Sequence, residues 1–163
     1  MADLKITELT ENTSPITTDI IPMVDDPAGT PLTQKVTLAN LGLLLSLKSK
    51  VITATRDMSA ISGDVSYTGV GFTPTAIIAF SAINASIQYS IGAVDSGKTE
   101  MNIGNGNATS NMYVDSTNLV SIWQGGGNQA GLLKTFDSDG FTLTWTKYLS
   151  PTGTLTMYFL CLR

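Results

Sequence analysis

Phe141, Leu143 and Trp145 alternate with Thr142, Thr144 and Thr146 directly after the run Asp137-Ser138-Asp139-Gly140. A strict period of two is the pattern of a strand with one face buried and the other in water. The acidic, glycine-ended run before it is a turn, which makes Leu132 to Phe136 the partner strand of a hairpin. A half-buried hairpin needs a second layer to cover it, and the rest of the chain supplies candidates. From Val51 onward, short alternating runs are divided by Gly, Asn, Asp and Pro, as in an all-β sandwich or barrel. Ile87, Tyr89 and Ile91 alternate with Gln88, Ser90 and Gly92, so one face turns to a core and the other to solvent. After the turn Pro151-Thr152-Gly153, the run Thr154 to Leu162 becomes apolar on both faces, which predicts a central or subunit-covered strand.

The first third of the chain reads differently. Ile20, Ile21, Met23 and Val24 lie before Asp25-Asp26-Pro27-Ala28-Gly29, and Val36 and Leu38 lie after it. Pro27 presets φ and Gly29 tolerates positive φ, so the two apolar runs can pair across a turn. Thr37 is placed to cap a helix starting at Leu38, because its hydroxyl can accept an amide of the first turn. Leu38, Leu41, Leu44, Leu45 and Leu47 then give that short helix a wide apolar face, to be covered by its own domain or by sister chains. The unit is too poor in apolar residues for a core of its own. The expected architecture is therefore all-β: an antiparallel β-sandwich of jelly-roll-like form with an extended N-terminal arm and a short helix. Residues 1–36 form the arm, 37–50 the helix and linker, and 51–163 the sandwich.

Composition narrows the function classes. The 163 residues are 42% hydrophobic and 13% charged, enough apolar material for one sizeable core. A net charge of −4, with no basic stripe, argues against nucleic acid and anionic membranes as partners. Leu41 to Leu47 is far shorter than the roughly 20 apolar residues a bilayer span needs. Met1 to Lys5 lacks the basic and apolar regions of a secretory signal, so synthesis in the cytoplasm is expected. Cys161 is the single cysteine and lies in an apolar run, where a thiol packs as a small hydrophobe.

The ordering ITEL, DIIP, DDPAGT and KVTLANL resembles the amino-terminal segment of many tailed-bacteriophage tail-fibre and virion surface proteins. GDVSYTGVGFTPTAIIAFSA (63–82) with FDSDGFTLTW (136–145) resembles a β-sandwich domain found at the ends of phage fibre and surface proteins. The resemblance implies a virion protein, made in the bacterial cytoplasm, that assembles as a homotrimer with other virion structural proteins. It places attachment on the arm, at Ile20, Ile21, Asp25, Asp26 and Pro27. No repeat or heptad array encodes a long shaft.

Gly92 to Thr99, GAVDSGKT, satisfies the phosphate-binding P-loop pattern letter for letter. That chemistry needs a helix directly after the lysine, whose first amides hold the phosphates. Glu100 to Asn107 holds two glycines and three asparagines, so a hairpin turn at Asp95 to Lys98, with Gly97 at positive φ, is expected instead. The chain has no histidine, which removes the common catalytic triads and the commonest metal ligand. Asp137 to Gly140 departs from a calcium loop in the place of its glycine and has no closing glutamate, so it reads as a turn. No cofactor, metal or enzymatic activity is expected.

Two polar, glycine-rich stretches remain, GNGNATSN (104–111) and WQGGGNQ (123–129). An indole packs on the apolar face of a sugar while amides bond its hydroxyls, so Trp123, Gln124, Asn128, Gln129, Asn105 and Asn107 are candidate binding residues for glycan or a protein partner. The simpler reading is that Trp123 ends a core strand and the glycines close a loop. The sequence thus points to a small trimeric fibre, spike or head-decoration protein, with a lectin-like module engaging host surface glycan as the alternative.

Overall fold

The computed structural model describes residues 14–25, 32–45, 47–84, 86–105 and 112–163. The chain divides into two units, Met1–Ser46 and Leu47–Arg163. In the first, strand β1 (Ile20–Asp25) pairs antiparallel with β2 (Leu32–Thr37), Ile21 standing opposite Val36. Helix α1 (Leu38–Leu45) follows at once. Thr37 caps it as expected, its hydroxyl accepting the Asn40 amide at 3.2 Å. Asp26 and Pro27, at the expected turn, lie outside the described residues.

The second unit is an antiparallel β-sandwich. One sheet has six strands, in the order β3 (Ser49–Asp57), β12 (Thr154–Leu162), β5 (Ala76–Ile83), β6 (Tyr89–Asp95), β7 (Glu100–Asn105) and β8 (Met112–Asp115). The other has four, in the order β4 (Gly63–Thr68), β11 (Gly140–Tyr148), β10 (Gly127–Asp137) and β9 (Val120–Gln124). The hairpin read from Phe141 to Trp145 is β10 paired with β11, and those three residues are fully buried. The last strand, β12, is central, between β3 and β5. Tyr67, Phe141 and Phe159 join the sheets, with ring centroids 4.9 Å apart for Phe141 and Phe159 and 5.2 Å for Tyr67 and Phe141. Cys161 is buried beside them, and burial pushes its thiol up to about 11, in keeping with a packing role.

The two sequence segments that carried the sandwich resemblance prove to be one structure. Asp139, in the β10–β11 turn, accepts the amides of Gly69 at 3.0 Å and Gly71 at 2.5 Å. Both glycines have positive φ, 89° and 82°, which turns their amides toward the carboxylate. The hydrogen bonds hold the Asp139 carboxyl below its ordinary range. The run that looked superficially like a calcium loop is thus a clasp that fixes the β4–β5 connection against the hairpin.

Strands β6 to β8 turn their polar residues inward. Gln88, Ser90, Asn102 and Glu100 are buried, while Ile87, Tyr89, Ile91, Met101, Met112 and Val114 are exposed. The reason is β9, which is an edge strand of the smaller sheet and has unpaired backbone groups along its free side. The Ser121 amide donates to Ser90 Oγ at 3.3 Å, Asn102 Nδ2 donates to the Leu119 carbonyl at 3.1 Å, and the Tyr113 hydroxyl donates to the Ser121 carbonyl. Side chains of the large sheet thus satisfy the edge of the small one. The approach is close: a Cβ on Gly92 would stand 1.8 Å from the Leu119 carbonyl oxygen. Only glycine fits there. Replacing Gly92 by Ala is therefore expected to lower unfolding free energy by about 3 kcal/mol, the upper range for overpacking, as measured by denaturant titration. A change below about 0.5 kcal/mol would show that the β9 edge does not seat on β6.

Candidate functional site

The expected polar loop at 123–129 is not a loop. Gly125 and Gly126, with φ of 60° and 86°, form a two-residue turn, because Gln124 already pairs with Gly127. Positive φ at both central residues is what a tight hairpin between twisted strands requires. The consequence is a separation of the candidate residues. Gln129 is completely buried and faces the core, so its place in a surface site is corrected. Its Oε1 accepts Arg56 Nε at 3.0 Å, and its Nε2 donates to the carbonyls of Met58 at 2.9 Å and Ala60 at 2.7 Å. Arg56 also donates to the Ile61 carbonyl at 2.8 Å and lies 4.5 Å from the Trp145 ring centroid. Desolvation lowers the Arg56 pKa, and the carbonyls and indole replace water around the cation.

Gln124 is committed too, its Oε1 accepting the Thr152 amide at 2.7 Å. What survives is a row across the outer face of the small sheet. Trp123 stands opposite Asn128, and Asn128 stands opposite Tyr148, so an amide lies between two aromatic residues on three neighbouring strands. Trp123 and Asn128 are half-buried and Tyr148 is exposed. Sequence reading missed Tyr148, because the residue pairs with Asn128 only through strand register. Asn105 lies on the outer face of the other sheet, opposite Met112, and its Nδ2 donates to the Ile87 carbonyl at 3.3 Å. It cannot share a ligand with the Trp123 row. Asn107 lies outside the described residues. In the arm, Ile20 and Ile21 are exposed on β1, which ends at Asp25.

The P-loop spelling resolves into a hairpin. Strand β6 ends at Asp95, β7 begins at Glu100, and no helix follows the lysine. Asp95 organises the turn, accepting the Thr99 amide at 3.0 Å through Oδ1 while its carbonyl accepts the Lys98 amide at 2.9 Å. The residue at positive φ is Lys98, at 60°, and not Gly97 as the sequence suggested. The Lys98 ammonium donates to the Lys134 carbonyl at 2.7 Å. Gly92, the first letter of the pattern, serves the β9 contact described above. Among the described residues no cluster of three or more metal-ligating side chains forms.

Glu100 is a titratable group in unusual surroundings. It is 4% exposed, on the inner face of β7, and its Oε1 accepts the Leu133 amide at 2.6 Å. That amide lies past the end of β9 and has no strand to pair with on that side. Glu100 Oε2 and Asn102 Oδ1 have no hydrogen-bond partner. Desolvation, opposed in part by the Leu133 amide, raises the Glu100 pKa to about 7. Protonation would convert Oε2 from an unmatched acceptor into a donor.

No family model, curated protein or solved structure matches the chain.

Between its ordinary 4.5 and its raised value of about 7, Glu100 holds a proton in the folded state that the unfolded chain releases. Stability contributed by that proton is therefore full at acid pH and lost as pH rises through this window, by on the order of 3 kcal/mol. Glu100→Gln keeps the acceptor for Leu133 and supplies a permanent donor, so it is expected to be more stable than the parent at pH 8 and to flatten the profile from pH 5 to 8 in thermal unfolding. A parallel pair of profiles would exclude Glu100 as the titrating group. Separately, Gln129→Leu is expected to cost about 3 kcal/mol, since it leaves Arg56 Nε and the Met58 and Ala60 carbonyls without that partner in the interior. A surface glutamine would change denaturant stability by less than about 0.5 kcal/mol.

Proposed function

We propose that this chain is a non-enzymatic structural protein of a tailed-bacteriophage particle: a homotrimeric fibre, spike or head-decoration protein, attached by its N-terminal unit and displaying its sandwich. The supporting observation is the division into a hairpin-and-helix unit and a separate β-sandwich at residue 46, joined to the sequence resemblance of both parts. The interior of the sandwich favours a structural role. Its buried Arg56, Gln129, Ser90 and Asn102 hold backbone or one another. In this reading the partners are sister copies and other virion proteins, and the location is the virion surface.

A second reading, binding of host surface glycan, is favoured by the Trp123, Asn128 and Tyr148 row, where an amide between two aromatic rings suits a sugar ring laid across three strands. Immunogold labelling of intact particles with antibody to the purified protein tests the main reading, and labelled particles are the expected result. Deletion of residues 1–46 is expected to abolish labelling while the remaining sandwich retains its β-sheet circular dichroism and cooperative unfolding. Absence of the protein from purified particles overturns the proposal. Glycan-array binding lost in Trp123→Ala and Tyr148→Ala would move the function to the second reading.

A further inference from the structure

Glu100 and Asn102 stand two residues apart on the inner face of β7, 4% and 0% exposed, and each keeps one buried acceptor without a donor, Glu100 Oε2 and Asn102 Oδ1. At a rise of about 3.4 Å per residue the two side chains start roughly 7 Å apart along one strand, and both reach across to the β9–β10 pair. The two backbone amides that act on Glu100 from that side are already engaged. The Leu133 amide donates to Glu100 Oε1 at 2.6 Å, and the Leu119 amide donates to the Gly131 carbonyl at 2.9 Å. Asn102 has turned its own Nδ2 to the Leu119 carbonyl at 3.1 Å, which leaves its oxygen unmatched. A proton on Glu100 Oε2 supplies what is missing, because it turns one of the two acceptors into a donor while the other stands on the same face two residues along.

The surrounding charges leave that proton in place. Asp115, opposite Asn102 on β8, adds a like charge that favours it, and Lys98, in the β6–β7 turn, opposes it with an ammonium already bound to the Lys134 carbonyl. Lys134 of β10 is exposed and paired with Asp64, and Asp137, at the far end of β10, accepts the Thr142 hydroxyl. Asp95 ends β6 and accepts the Thr99 amide, the Tyr113 hydroxyl of β8 donates to the Ser121 carbonyl, and β9 has no titratable side chain. Without its proton Glu100 is a buried charge, and only water relieves it. The wall that can yield is β8. It is a four-residue edge strand paired with β7, its Met112 and Val114 are exposed, and the Tyr113 hydroxyl ties it to the smaller sheet. An edge held by hydrogen bonds over little apolar burial opens at lower free energy than a core strand.

We infer that the β7–β8 rim is a latch over the edge of β9, held shut by one proton on Glu100 and released locally when that proton leaves. The latch is a property of the sandwich alone and stands whether or not the chain belongs to a particle. Its open state hydrates the Glu100 carboxylate and frees the amides of Ser121 and Leu133, while the ladders of β11 and β12 stay closed. Glu100 titrates at about 7 when latched and at its ordinary 4.5 in water, so the closed state holds a proton that the open state releases. Closure is therefore favoured at acid pH. The opening constant rises about tenfold per pH unit through this window, a few hundred-fold in all, and levels off above it.

The test is native-state hydrogen exchange of the full chain, followed by NMR from pH 5 to 8, corrected for intrinsic exchange and repeated at low denaturant concentrations. It is run on the parent, Glu100→Gln and Asp115→Asn. The Ser121 and Leu133 amides are expected to exchange through an opening more frequent than that of the β11 and β12 amides and nearly independent of denaturant. Its constant is expected to climb with pH in the parent and to stay flat in Glu100→Gln, which keeps an acceptor for Leu133 and has no proton to lose. Asp115→Asn removes the like charge, so its climb is expected to end at lower pH, and this shift carries the test if Glu100→Gln does not fold. Seam amides that share both the opening constant and the denaturant dependence of β11 and β12 overturn the inference, since the pH dependence then belongs to global unfolding. So does a pH-dependent opening that persists in Glu100→Gln, or a climb that ends at the parent's pH in folded Asp115→Asn.

Discussion

The free edge of β9 is the constraint from which much of the sandwich follows. An edge strand offers a row of unpaired amides and carbonyls, and burying it without partners would forfeit several hydrogen bonds. Here the partners are side chains of the opposite sheet: Ser90, Asn102 and Tyr113 bond the backbone at Leu119 and Ser121, and Glu100 takes the neighbouring Leu133 amide. Because successive side chains alternate, committing the polar set of β6 to β8 to the interior forces the apolar set outward. The exposed face of Ile91, Met101 and Val114 is the other side of the same decision.

The sandwich is closed by different chemistry along its width. Tyr67, Phe141 and Phe159 meet between β4, β11 and β12, where both sheets supply rings. On the β3 side, Arg56 reaches Gln129 and the Ile61 carbonyl while Gln129 holds the Met58 carbonyl, so a single charged side chain ties an edge of the large sheet to the small one. On the β7 and β8 side, the β9 contacts do the equivalent work without a fixed charge. Polar closure of this kind adds little net free energy where it is satisfied, but it makes alternative registers costly.

Much of this was legible in the residues. Alternation at Phe141, Leu143 and Trp145 told both the strand and its buried face, because all three inward positions are large and apolar. The same logic could not phase Ile87, Tyr89 and Ile91, where the core took Gln88, Ser90 and Gly92; the deciding partner, the β9 backbone, lies some thirty residues away in sequence and has no side-chain signature. Thr37 and the hairpin before it were readable since capping and turn chemistry are local. Gln129 was misplaced because three glycines before it suggested a flexible loop, whereas two of them make a tight turn and the strand has already begun. Tyr148 joined the Trp123 row only through register, which no single segment records.

Lys48 and Arg163 exchange both of their backbone hydrogen bonds, each at 2.9 Å, so the chain comes into the sandwich and leaves it at one corner. That arrangement gives the domain a mechanical direction. Tension between these two points would open the β3–β12 ladder like a zipper, one bond at a time. Tension that enters at Lys48 and is resisted at the far end of the sheet instead shears the whole ladder, loading its bonds together. One fold is thus yielding along one line of force and stiff along another, and the points of tethering select between them.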